Sequence, residues 1–316
     1  MGASMCAFGA LRPLAHQAVL SGVEGEPRLS QRAKPSAGPA AEQTLIEELN
    51  RTFASPQYQP PLLPAAALEL LTLARDPNVS FGKIVTLLES EPLIAARVLR
   101  IAQSPFYSGG ARVQTIDDAV LRLGIKTIAL VFTEAATNAQ VFSSEVFRAP
   151  MQALRRHSTV TAHIARKLAE RIGQPGDRIY VCGLLHDIGI AACLLVAPSL
   201  RGADGRGFTF DQLKQPMFAV HETAAATIAG MWELPEGLRW VIAHHHSFHR
   251  GGHVSPMAAL VCLASWIASQ VDASIIAGDE TGQGQAAARH FGWGNDVSAL
   301  IALGNKVVQQ LSSSEG

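Results

Sequence analysis

From Glu42 onward, apolar residues recur every three to four positions, and nowhere do they alternate with polar ones over a strand-length run. A 3.6-residue period builds helices with one apolar face, whereas a half-buried strand needs a period of two. The chain is therefore expected to be all-α, a set of helices joined by tight loops. Local signals mark several helix ends. Ser80 is placed to cap a helix, with Val79 and Ile84 at the spacing of a hydrophobic staple. Thr115-Ile-Asp-Asp118 has the spacing of a capping box, and Gly124 reads as the stop of the helix it opens. Tyr58 to Pro64 is an extended connector, because prolines and the residues before them avoid the helix. Residues 1–41 are rich in Ala, Gly, Pro, Ser and Arg without sustained period, and are expected to form a flexible tail.

The segment Tyr180 to Ile190 sets His186 and Asp187 inside an otherwise almost wholly apolar run. An imidazole and a carboxylate buried without partners cost several kcal/mol, so partners are expected. Taken alone, such a pair is more often a satisfied core His beside a capped Asp. The other histidines change the balance. His157, Val160, Ile164 and Leu168 share one helix face, with His163 pointing elsewhere. His221, Ala225, Ile228 and Trp232 share another, ended by Glu233-Leu-Pro235. Leu238, Val241, Ile242 and His245 share a third, with His244 and His246 flanking.

Neutral imidazoles with one carboxylate suit a divalent first-row metal. The candidate ligands are His157, His186, Asp187, His221, His245 and His246, for Fe, Mn, Mg, Zn or Ni. Asp187 is placed to bridge two ions and would be the catalytic carboxylate of an active enzyme. No zinc-protease pattern is present, since Thr-Ala-Ala follows His221-Glu222, and no phosphate-binding glycine loop follows a strand. Residues 42 to about 145 carry few ligand-type residues at positions expected to be buried, and read as scaffold or docking surface.

Composition narrows the partners. Only 16% of residues are charged and the formal net charge is zero, which gives no electrostatic case for nucleic acid or an acidic membrane. The four cysteines lie far apart with no Cys-x-x-Cys, as in a reducing compartment, so a cytoplasmic location is expected. The most apolar window, Ile179 to Ala197, contains His186 and Asp187 and does not read as a membrane span.

The ordered set of motifs resembles the HDOD (HD-related output domain) branch of the HD superfamily of metal-dependent phosphohydrolases. The pieces are Glu91 to Ala102, Ser104 to Tyr107, Val113 to Val120 with Leu123-Gly124, Gly183 to Gly189, His221 with Trp232 to Pro235, and Ile242 before the histidine run. The resemblance implies a domain over residues 42–310, with a helical bundle over 42–148 packed on an HD-like bundle over 149–310, and a flexible end at 311–316. It implies a bacterial-type signalling module that acts through partner proteins, with a metal-dependent phosphohydrolase of nucleotides or cyclic dinucleotides as the alternative. A nucleotide- or metal-binding module without turnover is a third reading. The catalytic relatives follow the His-Asp-Ile-Gly run with Lys, where this chain has Ile190. Their Gly-Tyr-Pro signature is replaced by Ser247 to Gly252, and their last carboxylate aligns with Ser265. Asp272 lies two helical turns further on.

Overall fold

The structure, a computed structural model, describes residues 39–315 save 62–64, 91, 104–106, 108–112, 175, 251–252 and 273–280. The tail expected over residues 1–41 lies outside them except at its end, where a helix has already begun. That helix, α1 (Pro39–Ala54), opens on a proline, whose fixed φ suits a first turn. It is followed by α2 (Ala65–Leu73), α3 (Phe81–Glu89), α4 (Pro92–Ala102) and α5 (Ile116–Gln140). Next come α6 (Arg148–Arg171), α7 (Gly176–Leu185), α8 (Ile188–Val196), α9 (Phe210–Met231) and α10 (Glu236–Ala243). The last three are α11 (Pro256–Val271), α12 (Thr281–His290) and α13 (Val297–Glu315).

The expected caps are present. Ser80 Oγ accepts from Lys83 N at 3.3 Å. Thr115 Oγ1 accepts from Asp118 N, and Asp118 Oδ2 accepts in return from Thr115 N, each at 3.0 Å. Gly124 takes φ 73°, a conformation a Cβ would strain. The first helix stops there as expected and a second starts at once, so α5 is two helices joined across a kink at Gly124.

The described residues are helical as expected, with one short exception. A two-stranded antiparallel ribbon, β1 (His249–Arg250) with β2 (His253–Val254), follows α10; two residues per strand are too few for alternation to register. The end at 311–316 is helical to Glu315. Ser313 Oγ donates to Gln309 O at 2.9 Å, and Arg156 on α6 reaches Ser312 Oγ at 3.4 Å, which ties down the last turns. By length and apolarity alone, Gly176–Ser199 would cross a bilayer. It is mostly buried in the fold and is interrupted by the His186-Asp187 turn, as befits a core segment.

The core is continuous from Leu45 to Val307. α6 carries α7 and α11 along its length, α8 lies on α9, α1 docks onto α9, and α5 reaches α7. Two glycines meet the backbone of a neighbouring helix more closely than a side chain would allow. A Cβ on Gly183 would lie 2.9 Å from Ala162 Cα, so α7 crosses α6 backbone to backbone. A Cβ on Gly189 would lie 1.9 Å from His221 O, so the first turn of α8 presses on α9 where His221 projects. These glycines bracket His186-Asp187 and draw α6 and α9 against the α7–α8 turn that carries it.

Candidate metal centre

The structure brings the six expected ligand residues together. α6 supplies His157, the turn between α7 and α8 supplies His186 and Asp187, α9 supplies His221, and the turn after α10 supplies His245 and His246. Their ligand-type atoms fall into two groups that share Asp187. His157, His186 and Asp187 lie within 4.8 Å of one another, as do Asp187, His221, His245 and His246. All but His246 are buried.

The backbone sets the tautomers. A carbonyl oxygen can only accept, so a ring nitrogen against one carries the proton. His186 Nδ1 donates to Gly183 O at 2.8 Å, His221 Nδ1 to Phe218 O at 2.6 Å, and His245 Nδ1 to Ile242 O at 2.9 Å. Each partner is the carbonyl three residues earlier, so the local turn orients each ring. The Nε2 lone pairs then point inward. His186 Nε2 lies 3.1 Å from Asp187 Oδ2, and His245 Nε2 lies 3.5 Å from Asp187 Oδ1. His221 Nε2 faces His245 Nε2 at 3.4 Å. His246 is held by Glu222, whose Oε1 accepts from its backbone N–H at 3.0 Å, and by Gln283 Oε1 at 3.1 Å from Nδ1.

Burial and neighbouring imidazoles keep three of the rings neutral. Burial, then His186, pushes His157 down to about 4. Burial, then His245, pushes His221 down to about 4 and His246 to about 2. Burial opposes the charge on Asp187, but His186, His245 and His221 outweigh it and hold the carboxyl well below its usual range. His245 is raised despite its burial, because the Asp187 carboxylate would accept from a proton added at its Nε2. His157, His221, His246 and the Asp187 carboxyl are thus deprotonated at neutral pH, the state a cation requires. The donor set fits a divalent ion.

A family model for the HDOD domain matches residues 61–248, more than half of the chain. The chain belongs to the HDOD family. A protein from Shewanella amazonensis SB2B, provisionally named a metal-dependent phosphohydrolase, superposes with a TM-score of 0.67 at 20% identity, covering 86% of this chain and 99% of that one. An HDOD domain protein of unknown function from Geobacter sulfurreducens gives 0.57 at 22% identity, over 86% and 95%. A provisionally named signal transduction protein from Marinobacter aquaeolei VT8 gives 0.62 at 22% identity, over 87% and 64%. At these identities the likeness establishes the all-helical HDOD fold. An uncharacterized protein of Treponema pallidum is 25% identical over 234 residues, which is 71% of this chain but 45% of that protein. The HDOD chain thus spans less than half the length of that curated relative.

Other positions fall as follows. Ser265 Oγ lies 3.2 Å from His157 Nε2, where the aligned carboxylate of catalytic relatives was expected. Asp272 does not join the cluster; it caps α11 and pairs with the Arg156 guanidinium. Ile190 is buried apolar surface on α8. His244 lies aside, stacked on Trp240 at 4.8 Å. Sequence reasoning passed over a second buried polar group. Glu134 on α5 accepts from Tyr180 Oη on α7, and His163 Nε2 on α6 lies 3.5 Å from Glu134 Oε2. Glu134 is one of the few buried ligand-type groups expected over residues 42 to about 145. The signal available was Glu134 within the apolar stripe of Val131, Phe132 and Ala135.

Proposed function

We propose that this HDOD chain is a regulatory module whose cluster holds one divalent cation at Asp187, His221, His245 and His246 without turning over a phosphate ester, and that it signals through partner proteins. One observation carries the reading. His221 and His245 have both committed their Nδ1 protons to backbone carbonyls, yet their Nε2 lone pairs face each other at 3.4 Å beside a carboxylate. Lone pairs so placed repel unless positive charge lies between them. Three imidazoles and one carboxylate favour iron(II), manganese(II), zinc or nickel over magnesium, which prefers oxygen ligands. A bound ion would supply Lewis acidity and lower the pKa of a water molecule. The protein's own part is orientation: the three i−3 carbonyls lock the rings, and Glu222 anchors the backbone of His246.

Two features support holding over hydrolysis. At His157 the place of a second carboxylate is taken by the Ser265 hydroxyl, which adds no charge to neutralise a second ion. At Ile190 an apolar side chain stands where the resemblance to catalytic relatives implies Lys. The second reading, a phosphohydrolase, is favoured by the two ligand groups that share Asp187.

The two are separated by metal analysis of protein purified without chelator, with hydrolysis of a generic phosphodiester assayed in manganese. We expect one metal ion per chain, lost in Asp187→Asn, and no turnover above that variant. Turnover that vanishes in His186→Ala would transfer the assignment to the phosphohydrolase. Ser265→Asp is expected to raise the metal content from one ion per chain towards two; an unchanged content would mean that the hydroxyl is not what limits the His157 side.

A further inference from the structure

Away from the cluster, a cavity of about 310 Å³ lies among α2, α5, α7 and α10, with Leu71, Leu130, Val181 and Leu238 among its walls. That volume is at the lower end for small-molecule sites, roughly 300–1,000 Å³. Its rim carries Arg75, Lys126 and Arg178, against the single carboxylate of Asp177. Asp177 lies 3.9 Å from Arg166 and is shared with it. Arg75, Lys126 and Arg178 have no ion-pair partner among the described residues and are exposed. Surface cations normally find solvent or a nearby carboxylate, so three of them unpaired around one apolar hollow form an electropositive mouth over an apolar floor. The Arg178 guanidinium lies over the first turn of α10, where a Cβ on Gly237 would come within 2.6 Å of its Nη2. The first turns of α7 and α10 and the post-Gly124 turn of α5 all border the cavity, which adds to its positive potential.

We propose that this cavity binds a small phosphate monoester with an apolar body, the phosphate held by Arg75, Lys126 and Arg178 and the body set against Leu71, Leu130, Val181 and Leu238. Two guanidinium forks and an ammonium suit a dianion, and phosphate presents oxygens to several donors at once. The aliphatic walls accept either a nucleobase or an alkyl chain. The site is separate from the cation centre and does not depend on it.

Calorimetry on the full chain tests it, using adenosine 5′-monophosphate and hexyl phosphate as probes beside inorganic phosphate and adenosine. At least one monoester should bind tenfold or more tightly than inorganic phosphate or adenosine. Which one binds identifies the body. Lys126→Ala with Arg178→Ala should weaken that binding at least 30-fold while the metal content stays that of the parent chain. Ala74→Trp, which fills the hollow but keeps the cations, should abolish the preference over inorganic phosphate. Monoesters no tighter than inorganic phosphate, or monoester binding retained in both variants, would overturn the proposal. Metal analysis of the same samples reports separately on the cation reading.

Discussion

Gly189 shows how far a single residue governs the centre. Its missing Cβ lets the first turn of α8 meet the backbone of His221, with only 1.9 Å available where a methyl would sit. Gly189→Ala must therefore push α8 from α9 and carry His221 away from Asp187. We expect a loss of at least about 3 kcal/mol in urea unfolding, at the upper end for overpacking, together with loss of bound metal. Parental stability with full metal content would show that the helices tolerate the separation. At this scale the sequence was legible wherever periodicity fixed direction. His157 and His221 lie on apolar helix faces and do point inward, whereas His245, expected on the face of α10, points inward from the turn just after it. Ser265 was legible only through alignment, and its 3.2 Å approach to His157 required the packing of α11 on α6. Glu134 was not legible, because its partners Tyr180 and His163 lie on two other helices.

Among elements, Glu134, His163 and Tyr180 link α5, α6 and α7 through a polar contact inside an apolar layer. Burial, then Glu134, raises the Tyr180 phenol well above its ordinary value, so it remains a proton donor at every physiological pH. Tyr180→Phe would leave the Glu134 carboxylate short of a donor, at a cost of about 1–3 kcal/mol. The expected signature is a lowered unfolding midpoint with unchanged metal content, and partial recovery when Glu134→Gln is added. An unchanged midpoint would mean that Glu134 is satisfied without the phenol. Helix starts at Ser80 and Thr115 were readable because a cap is a local event within four residues. The end of α13 was not, since what keeps Ser312 in the helix region is Arg156, far away in the chain.

For the whole molecule, acid should unfold the chelated protein early. His157 and His221 sit at about 4 and His246 at about 2, all below the unfolded value of about 6.5. Between pH 6.5 and 4 the unfolded chain then binds more protons than the folded one, so their contribution is full above pH 6.5 and falls away through that window. His245, whose pKa is raised, acts in the opposite direction: its contribution is present below the unfolded value and fades as pH rises through the folded one. That change falls above pH 6.5, so the three depressed rings decide the acid window, and chelated protein should lose on the order of several kcal/mol from pH 6.5 to 4. Urea midpoints measured across this range check it; a flat profile would mean that the rings are solvated once the cation is gone.

The whole-molecule arrangement also bears on regulation. α7 and α10 begin at the rim of the basic cavity and end at His186-Asp187 and at the histidine run. With ten and eight residues, they span about 15 and 12 Å. Two sites joined by the same pair of rods form a thermodynamic cycle. Whatever factor cation binding imposes on a ligand at the far end, that ligand must return to the cation in equal measure.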